Sequence, residues 1–391
     1  MVRRLQTFLI KPLLLLVFIG MSLTLFSQQT NDTITKKKSA FEKINDKMEW
    51  IVKWFPLPMV SYNTQTNWLF GITKFNSFKI GKDVEKDTLV PTSTVTGLAY
   101  YTLNNQFKFV ANSDLFFGRS GWRNNTQFIV AHVPLLYYGV GNDTELEDEC
   151  LVTFDQFEIT DIIGYNVYKR VYLSFLYNFN NYTKIDYFVD KTTNEIDCLN
   201  LDTTLSQNEG IQSGIGLMLY NEQRDNNINA HKGSFTVLAF TTYHHNLGSQ
   251  FNYSYLMLDY RKYFPLAEKL TLATQFYSVY KFGDVPVQSL AQLGGSDKMR
   301  GIYLGRYRDK LMTVAQAELR FPIYWIISAV AFGGIGEVSP SFSSYKLDGI
   351  HWSAGAGLRL MVDSQHKANI RFDYGISSDQ HFFFFGFGEA F

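Results

Sequence analysis

Apolar and polar residues alternate with a period of two along much of the chain from Asn67 onward. In 106–117, Phe107, Phe109, Ala111, Leu115 and Phe117 take one face, and Gln106, Lys108, Asn112 and Asp114 take the other. In 352–362, Trp352, Ala354, Ala356, Leu358, Leu360 and Val362 alternate with Ser353, Gly355, Gly357, Arg359 and Met361. In 369–374, Asn369, Arg371 and Asp373 alternate with Ile370, Phe372 and Tyr374. Side chains of a strand point to opposite faces in turn, so this period predicts strands with one apolar face. Fifteen segments qualify: 67–80, 90–102, 105–118, 124–139, 150–163, 168–181, 210–221, 233–245, 250–263, 268–282, 310–322, 324–337, 350–362, 367–376 and 381–391.

The first sixty residues follow other patterns. Arg3, Arg4 and Lys11 precede an apolar run, Pro12 to Phe26, too short to span a bilayer as a helix. Residues 1–27 therefore read as a secretory signal, cleaved near Ser27 or Gln28. Residues 28–60 read as a polar periplasmic leader. Within it Phe41, Ile44, Met48, Ile51 and Phe55 recur at steps of three and four, which predicts a short amphipathic helix. Ser39 caps its start, Pro56 ends it, and Trp50 and Trp54 suit a membrane interface. Residues 61–391 remain for one strand-rich domain.

Composition decides what the strands build. Phe (34) and Tyr (24) are abundant, charged residues make up 18%, and the formal net charge is zero. A neutral chain argues against a nucleic-acid partner. Period two fits a soluble sandwich as well, with the faces exchanged, but aromatics on this scale suit the interfacial girdles of an outer-membrane barrel. The expected fold is all-β: a transmembrane antiparallel β-barrel in the bacterial outer membrane, preceded by the amphipathic helix. Bacterial barrels have an even strand number, so sixteen are expected and one is missing from the fifteen. The stretch from Asn181 to Glu209 is where it is expected, since Ile185 to Val189 could end a longer strand. Cys150 and Cys198 could pair in an oxidising compartment, and sequence leaves that open.

Between the strands 268–282 and 310–322 lies GGSDKMRGIYLGRYRD, Gly294 to Asp309, too long and too rich in Gly and Arg for a hairpin turn. Gly294, Gly295 and Gly301 permit sharp turns and close approach, and Arg300 offers a rigid fork for a carboxylate. Met299-Arg300-Gly301-Ile302-Tyr303 resembles the lumen-docked loop of the BamA/TamA family of outer-membrane proteins, with the aromatic Tyr303 one place later than in that family. Gly355-Ala356-Gly357-Leu358-Arg359 resembles the family's Gly-x-Gly-Leu-Arg strand, and Gln223-Arg224-Asp225-Asn226 its periplasmic turn. The resemblance implies that the loop is extracellular and folds into the barrel. It also implies a member reduced to its barrel, since residues 28–60 are too few for a periplasmic POTRA module.

The family's acceptor for the loop Arg is an Asp in an aromatic-x-Asp-x-Gly motif; the matching stretch Phe332 to Gly336 carries Gly334 at that position. Glu318, Glu337 and Asp373 are the candidate partners instead. For Glu318 the alternative is a lumen charge facing water. The chain closes on FFFFGFGEAF, and Phe391 resembles the terminal aromatic of a barrel assembly signal, with Glu389 where an apolar residue is usual. Gly386 and Gly388 on the last strand and Gly71 on the first would make a poorly packed seam.

No nucleophile elbow, zinc-protease motif or phosphate-binding Gly loop occurs, so no catalytic residue, metal or cofactor is expected. His244-His245 and the acidic run Asp143 to Glu149 read as solvated loop charges rather than ligand sets. The resemblance implies a non-enzymatic barrel that assists insertion or translocation of proteins or lipids. Its expected partners are outer-membrane lipid and either unfolded outer-membrane clients or a periplasmic partner subunit. The alternative is a passive pore, or a barrel that holds a partner.

Overall fold

The computed structural model describes residues 54–63, 67–81, 90–103, 105–147, 149–188, 209–364 and 367–391. The signal segment, the leader to residue 53 and all but the last residues of the expected helix lie outside them, as does Cys198. Cys150 is disulfide-bonded.

The strands are β1 (Leu57–Asn63), β2 (Asn67–Phe78), β3 (Ser93–Thr102), β4 (Phe107–Phe116), β5 (Trp122–Tyr137), β6 (Cys150–Tyr168), β7 (Val171–Phe188), β8 (Gly210–Glu222) and β9 (Gly233–Tyr243). They continue with β10 (Tyr253–Ala267), β11 (Leu270–Gly283), β12 (Ala291–Leu293), β13 (Tyr307–Asp309), β14 (Leu311–Tyr324), β15 (Ile327–Ser339), β16 (His351–Asp363), β17 (Ala368–Ser377) and β18 (His381–Phe387). All but β12 and β13 form one 16-stranded sheet in sequence order, and those two pair with each other. Every ladder is antiparallel. The sheet is not closed by hydrogen bonds: among the described residues no ladder joins β1 to β18.

The parity argument holds, but the missing strand is elsewhere than expected. Ile185 does extend β7, to Phe188. The sixteenth strand is β1, which begins at Leu57 in the segment read as leader and runs across the expected domain boundary to Asn63. Pro58 cannot donate to a ladder, which speaks against a central strand. On an edge strand only one ladder is needed, and β1 pairs only with β2, Pro58 opposite Ile72. Likewise the last strand is shorter than 381–391: β18 ends at Phe387.

The connections 138–149, 244–252, 284–310 and 340–350 fall at one end of the sheet; the two-residue turns 169–170, 268–269 and 325–326 fall at the other, together with the longer segments 79–92 and 223–232. Outer-membrane barrels keep their shortest turns in the periplasm, and by that rule the end carrying 284–310 is termed extracellular. Exposed aromatics mark both interfaces: Trp68, Tyr101 and Trp352 near the extracellular end; Trp122, Tyr168, Tyr324 and Trp325 near the periplasmic end. Alternation is borne out in β17, where Asn369, Arg371 and Asp373 are buried inside and Phe372 is half exposed outside. It fails at the end of β16. Beside a register shift between Met361 and Asp363, Val362 is buried instead of exposed because it packs with Ile370, Leu57 and Phe387.

Candidate functional site

The loop after β11 begins and ends on the short β12–β13 ladder, with Ala291 opposite Asp309 and Leu293 opposite Tyr307. This clamp directs the intervening residues into the barrel. Gly294 turns the chain at φ +108°, where an added Cβ would stand 2.3 Å from the Tyr303 carbonyl oxygen. Gly301 (φ +117°) and Gly375 of β17 let two backbones touch: a Cβ on Gly375 would lie 2.5 Å from the Arg300 carbonyl oxygen. Met299 and Ile302 bury their side chains with Leu293, Val314 and Val338. The loop is thus held by apolar packing before any charge is counted. The Tyr303 hydroxyl accepts the Leu136 backbone N–H at 3.2 Å.

Between these anchors Arg300 reaches the middle of the wall. It is 1% exposed, and its guanidinium donates to Asp373 Oδ2 of β17 at 2.7 Å and to Glu318 Oε2 of β14 at 2.5 Å. Its plane lies over the Phe332 ring, 3.6 Å from the centroid. Arg359 of β16 donates to Asp373 Oδ1 at 2.5 Å and to Glu389 Oε2 at 2.7 Å. Arg320 of β14 donates to Glu318 Oε1 at 2.8 Å and to the Phe391 carbonyl oxygen at 2.8 Å. Three buried guanidinium groups therefore meet three buried carboxylates, Glu318, Asp373 and Glu389. Matched charge and multiple hydrogen bonds are what such burial requires. Beside the cluster, Arg371 donates to Asp297 of the loop at 2.7 Å.

Of the three candidate partners, the structure brings Glu318 and Asp373 to Arg300 but not Glu337. Glu337 lies near the extracellular end of β15 and accepts the Lys346 backbone N–H at 3.0 Å. Gly334 has a steric reason: a Cβ there would come within 2.8 Å of Gln316 Cβ and 3.1 Å of Met299 Sδ. The loop occupies the space an Asp would fill, so the acceptors come from flanking strands.

The Omp85 superfamily domain matches residues 100–391. The chain belongs to the Omp85 superfamily. No curated protein matches it by sequence search. Among solved structures, CdiB from Escherichia coli aligns with TM-score 0.51 at 11% identity, covering 88% of this chain and 69% of that one. BamA from Haemophilus ducreyi lacking POTRA domains 1–3 aligns with TM-score 0.49 at 12% identity, over 92% of this chain and 80% of that one. CdiB from Acinetobacter baumannii aligns with TM-score 0.49 at 10% identity, over 82% and 55%. The chain is an outer-membrane Omp85 barrel.

The two sheet edges of this Omp85 barrel approach without pairing. At the periplasmic end Phe75 of β2 stacks on Phe387, ring centroids 5.6 Å apart, and Ser77 Oγ donates to Asp363 Oδ2 at 2.6 Å. Beside β1 a cavity of 710 Å³ is lined by Pro58, Met59 and Val60 and by Phe372, Phe383 and Phe385. The seam glycines are placed differently from one another. Gly71 sits in β2 opposite Met59 and Tyr100, Gly386 lies against the Arg371 side chain, and Gly388 lies past β18 at φ +73°.

Residues 388–391 turn into the lumen instead of extending the last strand. Phe391 is 5% exposed and packs with Tyr263, Ala273 and Ala230, so it is no lipid-facing end of a strand. Glu389, out of place in an assembly signal, is an ion-pair partner here and also accepts from Asn369 Nδ2 at 2.7 Å. Sequence reasoning missed Glu389, Arg320 and Arg359 as members of the cluster. The signal was present in the polar faces of β14 and β16, Gln316-Glu318-Arg320 and Arg359, but nothing local said they converge.

Proposed function

We propose that this barrel assists insertion or translocation of polypeptides at the outer membrane without bond chemistry. Its clients would engage the lipid beside the unpaired β1 and β18 edges, while the Arg300 loop closes the lumen and braces the wall behind them. The observation that carries this reading is the pair of free edges in a sheet whose lumen the Arg300 loop crosses. Each edge presents backbone donors and acceptors without a ladder partner, a template for another strand. Seven-residue β1 and β18 are short, and both border an apolar cavity open to the lipid side. Membership of the Omp85 superfamily supports the same class of function.

A passive pore is the second reading. Against it stands the loop, with Met299, Arg300 and Ile302 buried across the lumen by its apolar and ionic anchors.

Reconstitution into lipid vesicles tests the proposal. The purified barrel should accelerate folding of an unfolded outer-membrane protein and show little ion conductance. Cysteines introduced at facing positions of β1 and β18 and oxidised to a disulfide should abolish the acceleration, and reduction should restore it. Full acceleration with the edges locked would sink the seam mechanism. Steady conductance without acceleration would establish the pore.

A further inference from the structure

Strands β6–β11, with Lys298 of the loop and Met312 of β14, enclose a cavity of 370 Å³ beside residues 288–292. That volume is in the range of small-molecule sites. Its charged groups have partners. Glu158 accepts from Thr160 Oγ1 at 3.1 Å and Gln156 Nε2 at 3.0 Å, and Lys298 stands over the Tyr277 ring at 4.5 Å. Lys281 donates to the Ser289 carbonyl oxygen.

What lacks partners is neutral. Gln212 is 1% exposed; its Oε1 accepts from the Tyr253 and Ser289 hydroxyls, both at 2.7 Å, while its Nε2 has no hydrogen-bond partner among the described residues. Asn180, 8% exposed, spends its Nδ2 on Tyr182 and leaves Oδ1 without a partner. Gln288 Oε1 is also unpartnered. All three residues line the same cavity. Buried polar atoms are nearly always satisfied, so one unpartnered donor and two unpartnered acceptors around one space describe what belongs in it. Its occupant must accept from Gln212 and donate to Asn180 and Gln288, without needing a counter-charge. The remaining walls are tyrosine rings, among them Tyr243 stacked on Tyr253 with centroids 4.3 Å apart. Such rings offer flat apolar surface beside polar tips.

We propose that this chamber binds a neutral saccharide of one or two rings. Sugar hydroxyls both donate and accept around the rim of the ring, and its C–H faces match the tyrosines. The sugar could be free or part of a glycolipid headgroup, and the chemistry is the same. Its three unpartnered amides lie outside the Arg300 ion-pair cluster and the seam, although Lys298 of the same loop lines the chamber.

The full barrel in detergent would be probed by saturation-transfer NMR with glucose, galactose, N-acetylglucosamine, lactose and maltose, then with lipooligosaccharide in mixed micelles. At least one should bind, and Gln212→Leu should weaken it at least about tenfold. Gln288→Leu, in the connection rather than a strand, gives a second variant should the first not fold, with folding read by heat-shifted gel migration. Binding of free sugars supports the proposal. Binding of the glycolipid alone supports it and identifies the source. A folded barrel that binds neither, or binding untouched in every variant that folds, overturns it.

Discussion

Two walls of one lumen are built on different chemistry. The wall of β14–β18 is ionic: Glu318, Asp373 and Glu389 meet Arg300, Arg320 and Arg359 with little water access. The wall of β4–β9 is mainly aromatic and aliphatic on its inner face, where Phe116, Tyr172, Tyr220, Phe235 and Val237 pack together around the local pairs Arg123–Asp114 and Arg224–Glu222. In β9, Val237 and Ala239 point inward and Leu238 and Phe240 outward, so both faces are apolar. The comparison teaches that the lumen is not uniformly wet. The ionic wall is where a loop has been drafted in: its Arg300 bridges Glu318 and Asp373, and Arg371 stands 4.0 Å from the same Asp373. The aromatic wall closes on itself through ring edges, such as Tyr220 against Phe235 at 5.1 Å.

The largest break in that contrast should come from Arg300→Ala. It leaves three buried carboxylates facing two guanidinium groups, and a buried pair robbed of one partner costs about 3–5 kcal/mol. Denaturant unfolding in detergent should show that loss, and Arg300→Lys should recover only part of it because a point charge cannot fork between Glu318 and Asp373. Next comes Gly375→Ala. Its Cβ would stand 2.5 Å from the Arg300 carbonyl oxygen, so the loop must withdraw, at about 1–3 kcal/mol. Proteolysis at Lys298 and Arg306 should speed up markedly. Glu337→Gln should cost about 1 kcal/mol or less, since it touches only the Lys346 N–H outside the cluster. A loss as large as that of Arg300→Ala would break the boundary drawn around the ionic wall.

The smallest effect sharpens it. At Asp297, burial works to raise the carboxyl, but Arg371 and Lys298 more than offset it and hold it below its usual range. A depressed folded value means stability present above the unfolded pKa and lost as pH falls through the folded one. The side chain is 59% exposed, so screening limits the gain to under about 1 kcal/mol. Loop protection should therefore weaken slightly in acid, below pH ~4, and Asp297→Asn should flatten that slope.

The barrel and the entry of the loop into its lumen were legible in the sequence because period two and the Gly-Arg loop are local signals. β1 was not, because Pro58 speaks against a central strand and only its place at an edge reconciles it. Two of the three proposed partners for Arg300 could be found by face and chemistry. Glu337 shared both with them and differs only in height along the barrel, which alternation does not encode. Glu389 was invisible because it depends on the chain leaving the sheet at Gly388.

That departure has a thermodynamic consequence. Arg359 touches Asp373, which holds the loop, and Glu389, which follows β18. The loop's seat and the last strand's tether thus draw on one guanidinium. Whatever peels β18 outward strips Arg359 of a carboxylate and tightens its hold on Asp373, in competition with Arg300. Whatever lifts the loop frees Asp373 for Arg359 alone and loosens Glu389. By reciprocity the two displacements carry a single coupling energy, so on the proposed mechanism a polypeptide bound at the edge would be felt at the loop, and the loop at the edge.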